Sequence, residues 1–301
     1  MKTKIIVVLL VITLSTALSS CASEQTANTH INGKSNSDVI ATSVANTDGY
    51  PQLVCEIWKD TAVAPVGSGE KENSKTIEFN NKTYTGEYWR STVPFLANYQ
   101  VDKYRFEGGW FGIKHSDGNL SSMNFSDTRA GQKSVDDCKN EAIRIAAHYI
   151  DINQYELTAK TEDFLNTYVF QRYFEGIETI AKLTISISTN GKIVTFSQIM
   201  TEEVEDLLNS GDINEFKNTI EKLTSEDSKK LVYEKIESIY KGYDILDCSI
   251  IKPIMVILDG GDIGVVYITD VSVILQTVSH GDQELYKLGG GRECILLREA
   301  A

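Results

Sequence analysis

Histidine and proline are scarce in this sequence, with four residues of each in 301, and the five cysteines include no CxxC spacing. The chain also lacks HExxH, GxSxG and a phosphate-cradling glycine loop. These absences exclude the common signatures of zinc enzymes, serine hydrolases and nucleotide-binding proteins. Each histidine that could serve a nucleophile falls at a position typical of solvated surface, namely His30, His115, His148 and His280. The sequence therefore predicts a protein that is not an enzyme and that uses no cofactor or metal.

Long apolar runs are absent after the first twenty residues, so no later segment is predicted to cross a bilayer. The chain opens with two lysines, an apolar run over residues 5–12 and the phrase LSSC at 18–21. This order predicts a secretory signal peptide over residues 1–20. LSSC resembles the lipobox of bacterial lipoproteins, which implies a lipid anchor on Cys21 and a place on the extracytoplasmic face of the cell membrane. An ordinary signal peptide that happens to precede a cysteine is the alternative.

Residues 21–48 are rich in Ser, Thr and Asn and poor in large apolar side chains. Such a segment buries too little surface to offset its ordering entropy, so it is predicted to be a flexible tether.

The net charge is −13. A field of that sign argues against nucleic acid and against docking on anionic lipid. It permits basic proteins or cations as partners, although an acidic surface that only maintains solubility is the simpler explanation of the charge.

Four cysteines follow Cys21, and four thiols allow three disulfide pairings. Export makes disulfides chemically accessible. The irregular spacing favours free thiols that behave as small hydrophobic groups. Both states stay open for Cys55, Cys138, Cys248 and Cys294.

Hydrophobic periodicity divides the rest of the chain into four regions. Residues 49–129 are predicted to be rich in β-strands, with tight turns at Asn- and Gly-containing positions. Residues 130–200 begin with a helix capped by Ser134 and continue as strands. Residues 201–224 are predicted to be a helical connector, with Thr201 and Asp212 as caps. Residues 225–301 again contain one helix followed by strands.

Two phrases of the sequence echo each other. SDGNLSSM at 116–123 and TNGKIVTF at 189–196 share one pattern of small, glycine and apolar positions. Each is predicted to close a hairpin, with the Gly in the turn and Leu120 or Ile193 entering the core.

The residues SVDDCKNEAIRIAAHYI at 134–150 and YVFQRYFEGIETIAKLTISISTNGKIVTFS at 168–197 resemble the PepSY-like domains of bacterial secreted and surface proteins. The shared features are an Ala-rich helix, a Tyr-x-Phe strand, an aromatic residue before a Gly-Ile step, and a closing Gly-x-Ile. The likeness extends only weakly to 84–129 and 225–299, where the Gly-Ile step is absent. It implies an α+β fold made of repeated units, each one helix packed on a short antiparallel sheet, as in PepSY-like and cystatin-like domains.

Aromatic residues are dense between positions 84 and 111. Exposed aromatic side chains on a strand platform would stack on sugars or contact a peptide, and the side chains predicted to do so are Trp89, Tyr104 and Trp110. Aromatic residues in strands more commonly form the core of a β-sheet, and that is the alternative for these side chains.

The resemblance implies a non-catalytic module that binds or regulates an envelope enzyme or sensor protein. Its expected partners are the membrane, through the anchor on Cys21, and an envelope protease, wall hydrolase or sensor protein. The alternative is a lipoprotein that binds carbohydrate or another small ligand.

Overall fold

The computed structural model describes residues 42–44, 53–58, 73–97, 99–126, 131–258, 261–280 and 283–300. Cys21 and the predicted signal peptide lie outside the described residues. Three residues of the predicted tether, Thr42–Val44, form a short strand.

The described residues form fourteen strands, four α-helices and one short 3-10 helix at Ile152–Gln154. The strands are β1 Thr42–Val44, β2 Leu53–Ile57, β3 Ser74–Phe79, β4 Lys82–Thr92, β5 Val101–Phe106, β6 Gly109–Lys114, β7 Leu120–Phe125, β8 Tyr155–Glu162, β9 Leu165–Phe174, β10 Ile177–Ser188, β11 Ile193–Ile199, β12 Asp244–Ile257, β13 Ile263–His280 and β14 Gln283–Glu299. The helices are α1 Val135–Ala146, α2 Thr201–Ser210, α3 Ile213–Leu223 and α4 Glu226–Ile239.

All fourteen strands belong to one mixed sheet, with the order β1-β2-β14-β13-β12-β10-β11-β7-β6-β5-β4-β3 and with β8 and β9 branching from β10. The predicted fold of repeated units, each one helix on its own small sheet, is therefore wrong. Separate small sheets would expose unpaired strand edges, which are open to aggregation. Here β11 pairs with β7 and β10 pairs with β12, so the edges that would have been free are joined.

The two echoing phrases of the sequence are neighbours in this sheet. Strand β7 pairs antiparallel with β11, and Met123 lies directly opposite Phe196. Both glycines of the phrases adopt positive φ angles, +75° at Gly118 and +83° at Gly191, as the predicted turns require. Leu120 and Ile193 are half-buried and pack against the core.

The N-terminal strands curl towards α1. Phe79 of β3 contacts Phe196 of β11 with ring centroids 5.1 Å apart. Four strands separate β3 from β11 in the sheet order, so this contact requires strong curvature. Tyr149, just after α1, packs on Phe196 at 4.6 Å and covers the inside of the curl. Cys138, Ala142, Ile145 and Ala146 form the buried face of α1.

The C-terminal half is a meander of β12, β13 and β14, extended by β2 and β1. Helix α3 packs on β13, whereas α4 packs on β14 and β2. The two halves of the sheet meet where Glu178 and Thr179 of β10 pair in parallel with Ile254 and Met255 of β12. An ion pair between Lys252 and Glu178 lies beside this parallel pairing of β10 with β12.

The local helix predictions are largely confirmed. Ser134 caps α1 by accepting a hydrogen bond from the Asp137 amide, and Asp212 caps α3. Thr201 was the wrong cap for α2, because the N-cap residue is Met200 with a φ of 50° and no capping side chain. Pro253 on β12 follows a β-bulge between Ile250 and Lys252. Within the described ranges, none of the helices is both long and apolar enough to cross a membrane.

The described cysteines lie on three different strands and one helix. Cys55 on β2 and Cys138 on α1 are buried free thiols, and Cys248 on β12 is a half-buried one. Burial raises the pKa of Cys55 to about 11, and its Sγ lies 3.5 Å from the carbonyl oxygen of Leu231. A neutral thiol in such surroundings packs as a hydrophobic group, as the free-thiol alternative predicts.

Candidate binding groove and cation–aromatic strip

A groove runs along α3 in the C-terminal half of the molecule. It consists of two cavities of about 1070 and 520 Å³ that share Glu215, Thr219 and Glu299 in their walls. One wall is α3 and the start of α4, and the other is formed by β2 and the end of β14. We call this feature the α3 groove.

Local sequence fixes α3 in place. Asp212 accepts hydrogen bonds from the amides of Asn214 and Glu215, which satisfies the first turn. Gly211, just before the cap, leaves room for Phe216, because a Cβ there would lie 2.1 Å from the Phe216 ring. At the other end, the hydroxyl group of Tyr267 donates a hydrogen bond of 2.8 Å to the carbonyl oxygen of Leu223. The position of α3 is thus fixed at both ends.

The turn between α3 and α4 is also held by buried hydrogen bonds. Ser225 caps α4 by accepting from the Ser228 amide at 3.2 Å. The Ser228 hydroxyl group is fully buried and donates to the carbonyl oxygen of Lys222 at 2.6 Å. The helix pair therefore forms a rigid wall of the groove.

The α3 groove combines apolar and acidic lining residues. Its apolar lining residues are Leu53, Phe216, Leu231, Leu258, Ile263 and Leu296. Its acidic lining residues are Glu56, Asp212, Glu215, Glu221, Asp227, Asp262 and Glu299. Among the described residues of the lining, the basic ones are Lys222 and Arg298, so acidic groups predominate there.

Both basic residues of the lining already form ion pairs with acidic residues of the lining. Lys222 contacts Glu299 at 2.9 Å, and Arg298 contacts Glu56 at 3.1 Å. Glu215 and Asp262 form no ion pair with any residue in the described part of the chain. Their charges are uncompensated beside an apolar surface, which makes the groove complementary to a cationic, partly apolar ligand.

The sequence did not point to this groove. Residues 201–224 were interpreted as a connector between units, and the acidic residues of α3 are ordinary for a solvated helix. The one available signal was the alternation of Asp212, Glu215 and Glu221 with the apolar stripe, which marks an acidic helix face. What turns that face into a groove is the opposing end of β14, which is distant in sequence.

The predicted binding side chains separate onto two faces of the N-terminal sheet. Tyr104 is only 4% exposed and stacks on Phe111 with ring centroids 5.4 Å apart, so it belongs to the core. Trp89 and Trp110 are half-buried on the opposite face. Most of the aromatic density between 84 and 111 joins the core with Tyr104, through ring contacts of Tyr84, Tyr88, Phe106 and Phe111.

Both tryptophans carry cations over their rings. The guanidinium groups of Arg90 and Arg105 lie 4.0 and 3.8 Å from the ring centre of Trp89. Lys103 Nζ lies 4.4 Å from the ring centre of Trp110. We call these five residues the cation–aromatic strip. It concentrates three positive charges on an otherwise acidic protein.

A buried polar network near the strip was also missed from sequence. Asp102, which is 6% exposed, accepts hydrogen bonds from Ser91 at 2.5 Å and Gln100 at 3.0 Å. His115 Nδ1 lies 2.6 Å from the second carboxylate oxygen of Asp102. Burial opposes ionisation of Asp102, but the hydrogen bonds outweigh it and hold the pKa of this carboxyl below its usual value.

This network does not have the geometry of a catalytic triad. The carboxylate of Asp102 stands between Ser91 and His115, whereas a triad requires the imidazole between hydroxyl and carboxylate. His115 is thus oriented by Asp102 and is not simply a solvated surface residue. Among the residues with described positions, no cluster of three or more His, Cys, Asp or Glu side chains is arranged to hold a metal ion.

Comparison with known proteins adds little. The chain matches neither a protein-family model nor a curated protein sequence. Solved structures that resemble it include the Bacillus megaterium YpeB C-terminal domain, at 12% identity and a TM-score of 0.30, covering 74% of this chain and 91% of that one. An uncharacterized protein from Eubacterium rectale is similar at 11% identity and a TM-score of 0.25, covering 74% and 72%. At these scores neither likeness supports an argument about function, and the PepSY-like resemblance stays a prediction.

Proposed function

We propose that this protein is an extracytoplasmic lipoprotein, anchored by lipid on Cys21, that binds and regulates an envelope protease, wall hydrolase or sensor protein without catalysing a reaction. The observation that supports this proposal is the α3 groove. Its acidic and apolar lining would accept a cationic, amphipathic segment of the partner.

The size of the groove fits a peptide segment better than a small solute. A pocket for a drug-sized ligand typically measures about 300–1,000 Å³. The larger cavity alone has about 1070 Å³, and the second extends it past Glu215 towards Asp262. The helix wall of the groove is mostly polar, whereas the opposite wall carries apolar side chains, so a bound segment would meet both kinds of contact.

The acidic charge of the groove and of the whole protein favours a basic partner. The uncompensated carboxylates of Glu215 and Asp262 favour Lys or Arg, and the net charge of −13 steers a basic partner towards the protein. An acidic partner would be repelled by the same field. This specificity by repulsion is consistent with a regulator that binds a selected envelope protein.

Titration calorimetry of a synthetic peptide of alternating Lys and Leu residues tests the proposal. We expect binding that weakens with salt, and a loss of affinity of about tenfold or more for Glu215→Lys. Glu156→Lys, an exposed position on β8, makes the same charge change outside the groove and is the matched control. Equal loss of affinity in both variants would mean that net charge, and not the groove, binds the peptide.

The anchor is tested separately. Incorporation of labelled palmitate into the protein in a bacterial host is expected for the natural sequence and is expected to disappear for Cys21→Ser. Labelling of the Cys21→Ser variant would place the lipid elsewhere and would remove the anchor from the proposal.

The carbohydrate-binding alternative has weaker support. Sugar rings bind tryptophan by stacking on an open indole face. Two guanidinium groups lie within 4.0 Å of the Trp89 ring centre, and Lys103 lies over Trp110. The cations occupy the ring surface that a sugar would need.

A further inference from the structure

An ion pair crosses the α3 groove from one wall to the other. Lys222, in the last turn of α3, places its Nζ 2.9 Å from Oε1 of Glu299, the last residue of β14. Glu299 lines both cavities of the groove, so the ion pair stands where the two cavities meet. A segment that extends through the whole groove has to pass this ion pair.

The other ion pair of the lining lies within one wall. Arg298 and Glu56 belong to β14 and β2, which are neighbouring strands of the sheet. This pair does not span the groove, so a bound segment can leave it intact. The Lys222–Glu299 pair joins the helix wall to the sheet wall, and its exchange would change the shape and the charge of the groove together.

The side chain of Lys222 can leave Glu299 without any movement of the helix. The backbone is held there, because the carbonyl oxygen of Lys222 accepts from Ser228 at 2.6 Å and that of Leu223 accepts from Tyr267 at 2.8 Å. The lysine ammonium, in contrast, lies at the end of a flexible four-carbon chain. The side chains of Lys222 and Glu299 are 23% and 34% exposed, and an ion pair with such access to water is weak and readily exchanged.

A basic side chain of the partner segment can replace Lys222. Glu215 also lines both cavities, and it forms no ion pair within the described part of the chain. Release of Lys222 adds the carboxylate of Glu299 to that of Glu215 in the wall that the cavities share. Two negative charges at this point favour a Lys or Arg residue of the partner. The released ammonium group of Lys222 returns to water, and Glu299 stays paired.

We propose that the Lys222–Glu299 ion pair is a latch across the α3 groove, and that a basic residue of the partner segment replaces Lys222 on Glu299 when the segment binds. This inference rests on the proposed function and deepens it, because it names the contact that the partner has to displace. The groove is divided at its middle in the free protein and continuous in the complex.

Titration calorimetry of the full chain with the peptide of alternating Lys and Leu residues tests the latch. Lys222→Met removes it and retains a long side chain. We expect the affinity for the peptide to rise by about threefold or more, because the peptide no longer has to displace Lys222. Lys217→Met is the matched control, since Lys217 lies on the same helix, outside the groove lining, and forms an ion pair of 2.9 Å with Glu175. It makes the same change in net charge and should leave the affinity nearly unchanged.

A double-mutant cycle separates the latch from a general effect of charge. Glu299→Gln removes the carboxylate for which Lys222 and the peptide compete, so it should weaken peptide binding by about threefold or more. In the Glu299→Gln protein, the further change Lys222→Met should bring no gain in affinity. A gain of the same size with and without Glu299 would mean that Lys222 acts only through its charge, and it would overturn the proposal.

Melting temperatures show whether the variants are folded, and Lys222→Gln replaces Lys222→Met if that protein does not fold. Equal affinities of the Lys222 and Lys217 variants would overturn the latch and leave the groove as the binding site. Binding by the Lys222 variant in the absence of binding by the natural protein would support the latch. If neither protein binds the peptide, the proposed function fails, and the latch fails with it.

Discussion

The hydroxyl group of Tyr267, on β13, donates a hydrogen bond of 2.8 Å to the carbonyl oxygen of Leu223, in the last turn of α3. Tyr267 is fully buried, and burial raises its pKa to about 12. The contact joins the centre of the C-terminal half-sheet to the helix that forms one wall of the α3 groove. Groove shape and sheet packing therefore depend on the same buried group.

Tyr267→Phe removes this donor and leaves a buried carbonyl oxygen without it. We expect the free energy of unfolding to fall by about 1–3 kcal/mol. Denaturant unfolding measures the change. Tyr243→Phe is the matched control, because Tyr243 is 46% exposed. Equal effects of the two changes would contradict the assigned role of Tyr267.

The curl of the N-terminal strands depends on Phe196. Phe79 and Tyr149 both pack against it, at 5.1 and 4.6 Å between ring centroids. Phe196→Ala should lower the free energy of unfolding by about 3–5 kcal/mol, since the cavity lies where distant strands meet. Phe95→Ala, at a side chain that is 52% exposed, should change it by no more than about 0.5 kcal/mol. A small effect at Phe196 would mean that the strands do not close over α1.

Asp102 should make stability depend on pH. Its pKa is lowered in the folded state, so it stabilises the fold above the unfolded value of about 3.9, and that contribution is lost as the pH falls through the folded value. At neutral pH, Asp102→Asn should lower the free energy of unfolding by about 1–3 kcal/mol. The difference from the natural protein should shrink as the pH falls below about 4.

Urea unfolding over a pH series measures this difference directly. Asp247→Asn, at an exposed position on β12, makes the same change without a buried network and should show little effect at any pH. A constant difference between Asp102→Asn and the natural protein across the acid range would show that the charge of Asp102 is not involved.

Within the glycine run of β14, Gly290 is the position with a positive φ angle. Gly290 has a φ of +112°, and a Cβ there would lie 2.1 Å from the carbonyl oxygen of Val271. Gly290→Ala should cost about 1–3 kcal/mol of stability from backbone strain, before the steric clash is counted. At Gly291 a Cβ would meet nothing within 4 Å, so Gly291→Ala should be close to neutral. Thermal melts of the two variants check this prediction. A lower melting temperature for Gly290→Ala alone would show that this backbone geometry is required, whereas equal melting temperatures would indicate a flexible turn.

Local features were predictable because their causes are local. The caps Ser134 and Asp212 and the glycine turns at Gly118 and Gly191 depend on residues a few positions apart. The cap of α2 failed because Met200 adopts a left-handed conformation, which a residue of its type rarely does.

Sheet order was not predictable, because it depends on pairings between distant segments. The pairing of Met123 with Phe196 joins two strands between which α1 lies in the sequence. The parallel pairing of β10 with β12 at Glu178 joins the N-terminal and C-terminal halves of the sheet. Hydrophobic periodicity shows which residues face a core, but it does not show which strand lies beside which. The two echoing phrases suggested that the chain consists of repeated units. In the structure, the strands that contain them, β7 and β11, are neighbours in one sheet.

The candidate surfaces were partly predictable. Trp89 and Trp110 were identified from aromatic density, but the same reasoning included Tyr104, which is core. Periodicity alone does not distinguish the two faces of a strand when both carry aromatic residues, and the cations over the tryptophans come from neighbouring strands.

Hydrogen–deuterium exchange of the full chain, with and without the peptide of alternating Lys and Leu residues, tests the central claim most directly. The account predicts slower exchange on binding in α3 and the first turns of α4, residues 213–231, with β4 to β6 unchanged. Saturating binding that leaves residues 213–231 unprotected, or that protects a different surface, would contradict the α3 groove as the binding site.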